Sequence, residues 1–293
     1  MPVTVRSPEA SPSARPVPAG NLSTGILKLI ALVFMFIDHS GKVLFNNSGD
    51  MRILGRIAFP LFVWCMVVGF SRTRSVPRYL LRILSVGLVS QPLYVLALNT
   101  EGHPGVLIKD ILSPLSSGFT LSGFGEVLNT VFLVKPNIFL TLALGLLALW
   151  GIREKKWLSH ILLPAAAVIL AGVLKADYGW KGIAFFILLY AVQDSRPGIA
   201  AVMFSYFLFW GSGYSVTKSL FGVPVELTDL PSWLSDPLKS FLRLEAYGLL
   251  SLPLILVRFP RDIRLPKWVS YSLYPAHLVL LIVLKLIIFG WTA

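Results

Sequence analysis

Asp38 and His39 stand side by side near the end of "ALVFMFIDHSGKVLF", residues 31–45, a run otherwise apolar enough for the inside of a lipid bilayer. An ionisable group at the centre of a membrane helix costs about 2.5 to 3.5 kcal/mol on insertion scales, so such groups usually face a cavity or a partner. Histidine titrates naturally near neutral pH and is the side chain best suited to take and return a proton there. Lys28 precedes His39 by eleven residues, which at about 3.6 residues per turn returns to nearly the same helix face some 16 Å (~11 × 1.5 Å) away. Such a pair fits the two ends of an elongated ligand. The lysine would grip anionic phosphates and the histidine would meet the reactive end, the shape of a coenzyme A thioester. Plainer uses are open to the same residues: a snorkelling anchor for Lys28, and a hydrogen-bonded core position for His39. Asp38 points about 100° away from His39 around the helix and suits a counter-ion for an arginine such as Arg56.

Further polar groups fall among apolar stretches. In "GRIAFPLF", residues 55–62, Pro60 should free the carbonyl of Arg56 and kink the helix, opening space beside His39. Arg56 then has two uses, holding Asp38 or stabilising a developing oxyanion. Asp177 and Tyr178 open "DYGWKG", where Asp177 either orients a cationic acceptor or caps a helix. Asn137 stands at a helix start, which favours a cap over a substrate contact. Arg243 and Glu245 fall at the start of a late apolar segment, and His277 lies in "YPAHL" near one end of the last, closer to a bound coenzyme than to the chemistry.

The elements that carry these residues are apolar helices. The 293 residues are 55% hydrophobic and 14% charged, against roughly 25% charged in a soluble domain. Runs such as "LTLALGLLALW" do not alternate, which excludes the strands of a membrane barrel. The expected fold is an all-α polytopic membrane bundle of about nine transmembrane helices, near 26–45, 53–71, 79–98, 137–152, 158–175, 180–193, 197–213, 241–258 and 270–290. The connection 99–136 is too apolar for a solvent loop and is expected to lie on the membrane or re-enter it.

Basic residues collect in three connections: Arg72, Arg74 and Arg78; Arg153, Lys155 and Lys156; Arg258, Arg261, Arg264 and Lys267. These should be cytoplasmic, which puts the amino terminus inside. On that topology Asp38, His39, Arg56, Asp177, Arg243 and Glu245 converge on one outer membrane depth. The net charge of +12 is dispersed through these loops, a pattern of topology and not of nucleic-acid binding. Residues 1–22, rich in Pro, Ser and Ala at the start, read as a disordered tail; 23–293 form the transmembrane domain. Cys65, the sole cysteine, reads as a small core residue. No pair of His, Asp or Glu has metal-ligand spacing, so no metal is expected.

Taken in order, "LKLIALVFMFIDH", "GRIAFPLFVW", "RYLLRIL", "NIFLTLALG", "DYGWKG" and "YSLYPAHL" resemble the successive motifs of the TraX family of membrane acetyltransferases over about residues 27–285. That family is associated with acetylating pilin amino termini, and it is similar to a wider group of membrane acyltransferases that includes glycan-modifying enzymes. The resemblance implies acetyl-CoA as acyl donor, His39 as the catalytic residue with Asp38 and Arg56 beside it, and Lys28 as a coenzyme contact. It implies a multi-pass protein of the bacterial inner membrane, with a pilin subunit or surface glycan as acceptor. Arginine is common in the glycan branch where Lys28 stands; lysine keeps the charge and loses the bidentate fork. The cationic loop with Arg72, Arg78 and Arg82 would draw the coenzyme's phosphates, with His277 near them, while Asp177, Tyr178, Asn137, Arg243 and Glu245 would face the acceptor. The rival class is a proton-coupled transporter, which also buries acids and histidines.

Overall fold

The computed structural model describes residues 17–98, 104–116, 118–154, 156–263 and 265–290. Lys155 and Arg264 of the basic connections, and residues 1–16 of the tail, lie outside the described residues. The architecture is all-α: α1 (Thr24–Val43), α2 (Gly49–Gly55), α3 (Ala58–Arg72), α4 (Val76–Leu98), α5 (Pro104–Leu112), α6 (Leu121–Leu128), α7 (Ile138–Glu154), α8 (Trp157–Val173), α9 (Gly179–Ala191), α10 (Arg196–Gly211), α11 (Ser232–Phe241), α12 (Leu252–Leu256) and α13 (Lys267–Phe289). A 3₁₀ stretch, Leu244–Ser251, runs into α12. A two-residue antiparallel pair, β1 (Ser219–Leu220) with β2 (Val223–Pro224), interrupts the connection between α10 and α11.

Helical segments fall at the nine expected places, the one at 241–258 as a 3₁₀ stretch and the five-residue α12, but several are shorter than the expected spans. Among the described residues, three are long and apolar enough to cross a membrane: Gly49–Arg72 taken as one, Val76–Leu98 and Trp268–Phe289. A fourth results if Leu121–Leu133 and Ile138–Glu154, bent by 72°, count as one broken span. The 13 residues of α9 rise only about 20 Å (~13 × 1.5 Å), short of a hydrocarbon core roughly 30 Å thick. The apolar connection before α7 folds into α5 and α6, the latter running on as a π turn over Asn129–Leu133. Gln91 of α4 clamps this segment, its Nε2 donating to the carbonyls of Val131 (2.8 Å) and Lys135 (2.9 Å).

Three local features set the geometry around α1. Asn46 and Asn47 both adopt left-handed backbone (φ 46° and 59°), a conformation asparagine tolerates better than most residues, and they turn the chain from α1 into α2. The α2 helix stops at Gly55 and α3 resumes at Ala58, with the amides of Arg56 and Ile57 bonding three residues back. This is the break expected from Pro60, one turn upstream of the ring. Gly55 lies against Asp38, and a Cβ added there would collide with it, so only glycine lets α2 approach α1 this closely.

Within the expected tail, the chain from Pro18 to Leu22 is docked into the bundle: Asn21 is fully buried, its Nδ2 donates to the carbonyl of Leu254 (3.0 Å) and its own carbonyl accepts from Trp64 Nε1 (2.7 Å). Arg258 adds bonds to the carbonyls of Gly20 and Ala19. Around this joint lies the main core, built on Trp64, Phe59, Phe70, Phe185 and Phe207. Cys65 is buried within it, as expected for a small core residue.

Candidate functional site

Two cavities lie against one face of α1. Lys28, Leu32, Met35, His39 and Lys42 recur at intervals of four, three, four and three, which places them in a single stripe along the helix. Lys28 and Leu32 line a slot of about 90 Å³ between α1, α3, α4, α7 and α13. Met35, His39 and Lys42 line a polar cavity of about 460 Å³, within the range of small-molecule sites, about 300–1,000 Å³. Ile138 and Tyr274 line both, so the two compartments meet at these side chains.

The polar cavity gathers Asp38, His39, Arg56, Asp177, Tyr178 and Glu245 from segments far apart in sequence. Arg56 is held on three sides: Nη2 donates to Asp38 (2.8 Å), Nη1 to Glu245 (2.9 Å) and Nε to the carbonyl of Arg52 (3.2 Å). Arg52 adds a longer ion pair to Asp38 (3.5 Å). The Arg56, Asp38 and Glu245 side chains are only 10%, 15% and 6% exposed, and each charge has its counter-charge in place. Asp38 is thus the arginine's counter-ion, and Arg56 has its donors committed.

His39 is partnered by His277, not by its sequence neighbour. His39 Nδ1 lies 3.1 Å from His277 Nε2, and the rings stack with centroids 5.3 Å apart. The buried Nδ1 of His277 makes no hydrogen bond among the described residues. Between the two rings one nitrogen must donate and the other accept; with the hydrogen on His39 Nδ1 the bond runs to His277 Nε2 and Nε2 of His39 keeps its lone pair for a proton. His277, expected near one end of the last helix, sits near mid-length of its 23 residues, deep enough to reach His39. Tyr274, one turn earlier, packs edge-on to His277 (4.9 Å between centroids) and Phe139 (4.7 Å), and its buried hydroxyl has no hydrogen-bond partner among the described residues.

The remaining expected residues divide. Asp177 reaches the cavity with an accessible side chain that, among the described residues, makes no hydrogen bond or ion pair. Tyr178 stacks on Phe59 at 3.8 Å. Asn137 does not reach the cavity: its Oδ1 caps α7 by accepting from the amide of Phe139 (3.0 Å), and its Nδ2 donates to the carbonyl of Gly87 (2.8 Å). Arg243 is likewise absent from the lining, spent on the carbonyls of Ser212 (2.6 Å) and Tyr214 (2.8 Å). Arg72 and Arg78 are exposed and line neither cavity. Arg82 lies 5.7 Å from the ring of Tyr79, itself part of the slot. Tyr274, Lys42, Lys135 and Gln91 were not singled out from sequence. "YPAH", with tyrosine three residues before histidine on one helix face, carried the one available signal for Tyr274.

A family profile described as TraX protein matches residues 23–285. The chain belongs to the TraX family. Over 168 residues it is 29% identical to the probable fimbrial assembly protein FimC, serogroup H1, of Dichelobacter nodosus, a match covering 56% of this chain and 59% of that relative. No solved structure matches. The TraX match runs from the docked amino-terminal segment to α13 and so takes in every residue that lines the two cavities.

Proposed function

We propose that this TraX protein is an integral membrane acetyltransferase that transfers acetyl from acetyl-CoA to an amine on an extracytoplasmic acceptor, a pilin amino terminus. One observation carries the reading: a single stripe of α1 runs from a lysine in an apolar slot to a histidine in a polar cavity. The slot is too small for a nucleotide and suits the slender pantetheine arm, with Lys28 as a phosphate contact at its mouth. The association of the family with pilin acetylation, and the fimbrial relative, support the acceptor class.

In the proposed reaction the amine lone pair attacks the thioester carbonyl carbon while Nε2 of His39 takes the amine proton. His277 fixes the tautomer of His39 and stabilises the imidazolium through the Nδ1–H bond. The Tyr274 hydroxyl, buried at the junction of the cavities and free of other partners, donates to the developing oxyanion. Collapse breaks the carbon–sulfur bond, and the departing thiolate recovers the proton from His39, giving an amide and free coenzyme A. Arg56 and Asp38 hold the wall of the cavity and do not join the proton transfer.

Topology follows the basic connections: amino terminus and coenzyme entrance cytoplasmic, polar cavity outward, in a bacterial inner membrane. The nine helices cross or enter the bilayer as one bundle, the short ones shielded by neighbours. The test is thermal stability of detergent-purified protein with rising acetyl-CoA, which must increase with concentration if the ligand prefers the folded state. A saturable rise that weakens in Lys28→Ala supports the donor. No rise in folded protein would favour a proton-coupled transporter.

A further inference from the structure

The polar cavity holds more cations than its own ion pairs use. Asp38 and Glu245 are engaged by Arg56 and Arg52. This leaves Lys42, Lys135 and Lys181 facing a single free carboxylate, Asp177. Lys42 is half-buried, one turn beyond His39 on the same stripe, and it lines the cavity together with Lys135, close enough for the two like charges to interact. Among the described residues neither has a carboxylate within salt-bridge distance. Two adjacent ammonium groups in a partly desolvated cavity repel each other unless an anion lies between them. Lys135 is not there by chance of a loose loop, since Gln91 fixes its carbonyl.

We propose that the acceptor is a peptide carrying an acidic side chain close behind its free amino terminus, with the carboxylate received by Lys42 and Lys135 and the amine held by Asp177 beside His39. This deepens the reading of the site as an amine acetyltransferase. Asp177 favours an amine over a sugar hydroxyl: it is accessible and in no ion pair among the described residues, so it can receive the ammonium, which gives up one proton to solvent before its lone pair attacks. The pair of charges, negative on the acceptor for the lysines and positive for Asp177, also fixes the peptide's direction in the cavity.

The experiment compares synthetic eight-residue peptides with free amino termini, each carrying one glutamate at position 2, 3, 4 or 5, against the same peptides with glutamine. Binding is measured first without acetyl-CoA, by thermal shift of the full-length protein in lipid nanodiscs, then acetylation is measured by mass spectrometry. At least one glutamate peptide should bind and react ten-fold or more better than its glutamine twin. Lys135→Gln, at an exposed position, should erase that preference while leaving the acetyl-CoA thermal shift unchanged, and Lys42→Gln should do the same. Equal binding of both peptide sets overturns the proposal, as does a loss of acetyl-CoA binding in the lysine variants or preferential binding of a uronic-acid oligosaccharide. Retained peptide preference with no acetyl transfer would instead sink the acetyltransferase reading and leave this one standing.

Discussion

His39 on the first helix and His277 on the last are separated by 238 positions in sequence and by 3.1 Å between ring nitrogens. In the proposed reaction this contact makes one imidazole the orienter of the other. His39→Ala should abolish acetyl transfer. His277→Ala should lower kcat by on the order of 10²-fold, the scale of a general-base contribution, with little change in KM for acetyl-CoA. His277→Gln, whose amide oxygen can still accept from His39 Nδ1–H, should recover part of the loss. Equal damage from both substitutions would mean that His277 only packs.

Tyr274 offers a cleaner separation of chemistry from stability. Its hydroxyl is buried without a partner among the described residues, so Tyr274→Phe should leave the melting temperature unchanged or slightly raised. The same variant should lose on the order of 10²-fold or more in kcat, as removal of an oxyanion donor does. Unchanged kcat would remove the hydroxyl from the mechanism.

The Arg56 network should behave as structure. Arg56→Leu strands Asp38 and Glu245 with no close counter-charge apart from the longer contact to Arg52, and loss of one member of a buried pair destabilises by roughly 3–5 kcal/mol. Denaturation in mild detergent reads this directly. A folded, near-wild-type variant with only kcat reduced would return Arg56 to the reacting groups.

Gly55→Ala tests the same wall by crowding. The added methyl meets Asp38, so α1 and α2 must separate, with a loss of about 1–3 kcal/mol typical of overpacking. Thermal stability should fall, and kcat should fall with it because Asp38 adjoins His39.

Cys65, the only cysteine, lines the slot that holds Lys28. Saturating acetyl-CoA should slow its reaction with a small thiol reagent at least several-fold, read by intact-mass spectrometry, and Lys28→Ala should weaken the protection. Protection by free coenzyme A but not by a nucleotide that lacks the pantetheine arm would place that arm, and not the nucleotide, in the slot.

Much of this arrangement is legible in the sequence where regular helix geometry applies. Lys28 and His39 share a face because α1 is unbroken over Thr24–Val43, and Asp38 meets Arg56 because a short turn returns the chain within reach. Pro60 marks the break beside them. Legibility fails where depth or local helix type decides. The start of α13 determines whether His277 reaches His39, and no periodic signal encodes that partnership. Arg243 and Glu245, two residues apart on the approach to a 3₁₀ segment, face different ways, and their charges alone do not say which enters the cavity. Asn137 carries the composition of both a cap and a substrate contact; its bonds to Gly87 and Phe139 decide for the cap.

The docked amino-terminal segment bears on how the protein is made. Asn21 bonds Leu254 and Gly25 donates to Asp262, partners more than 230 residues downstream, just as His39 waits for His277. During synthesis α1 therefore enters the membrane long before the groups that secure it exist. Asp38 and Arg56 can pair early, but Glu245 and His277 arrive only with the final stretch of chain. A ribosome stalled before the last helix would leave His39 without its ring partner, so the wall of the polar cavity is finished only when translation is.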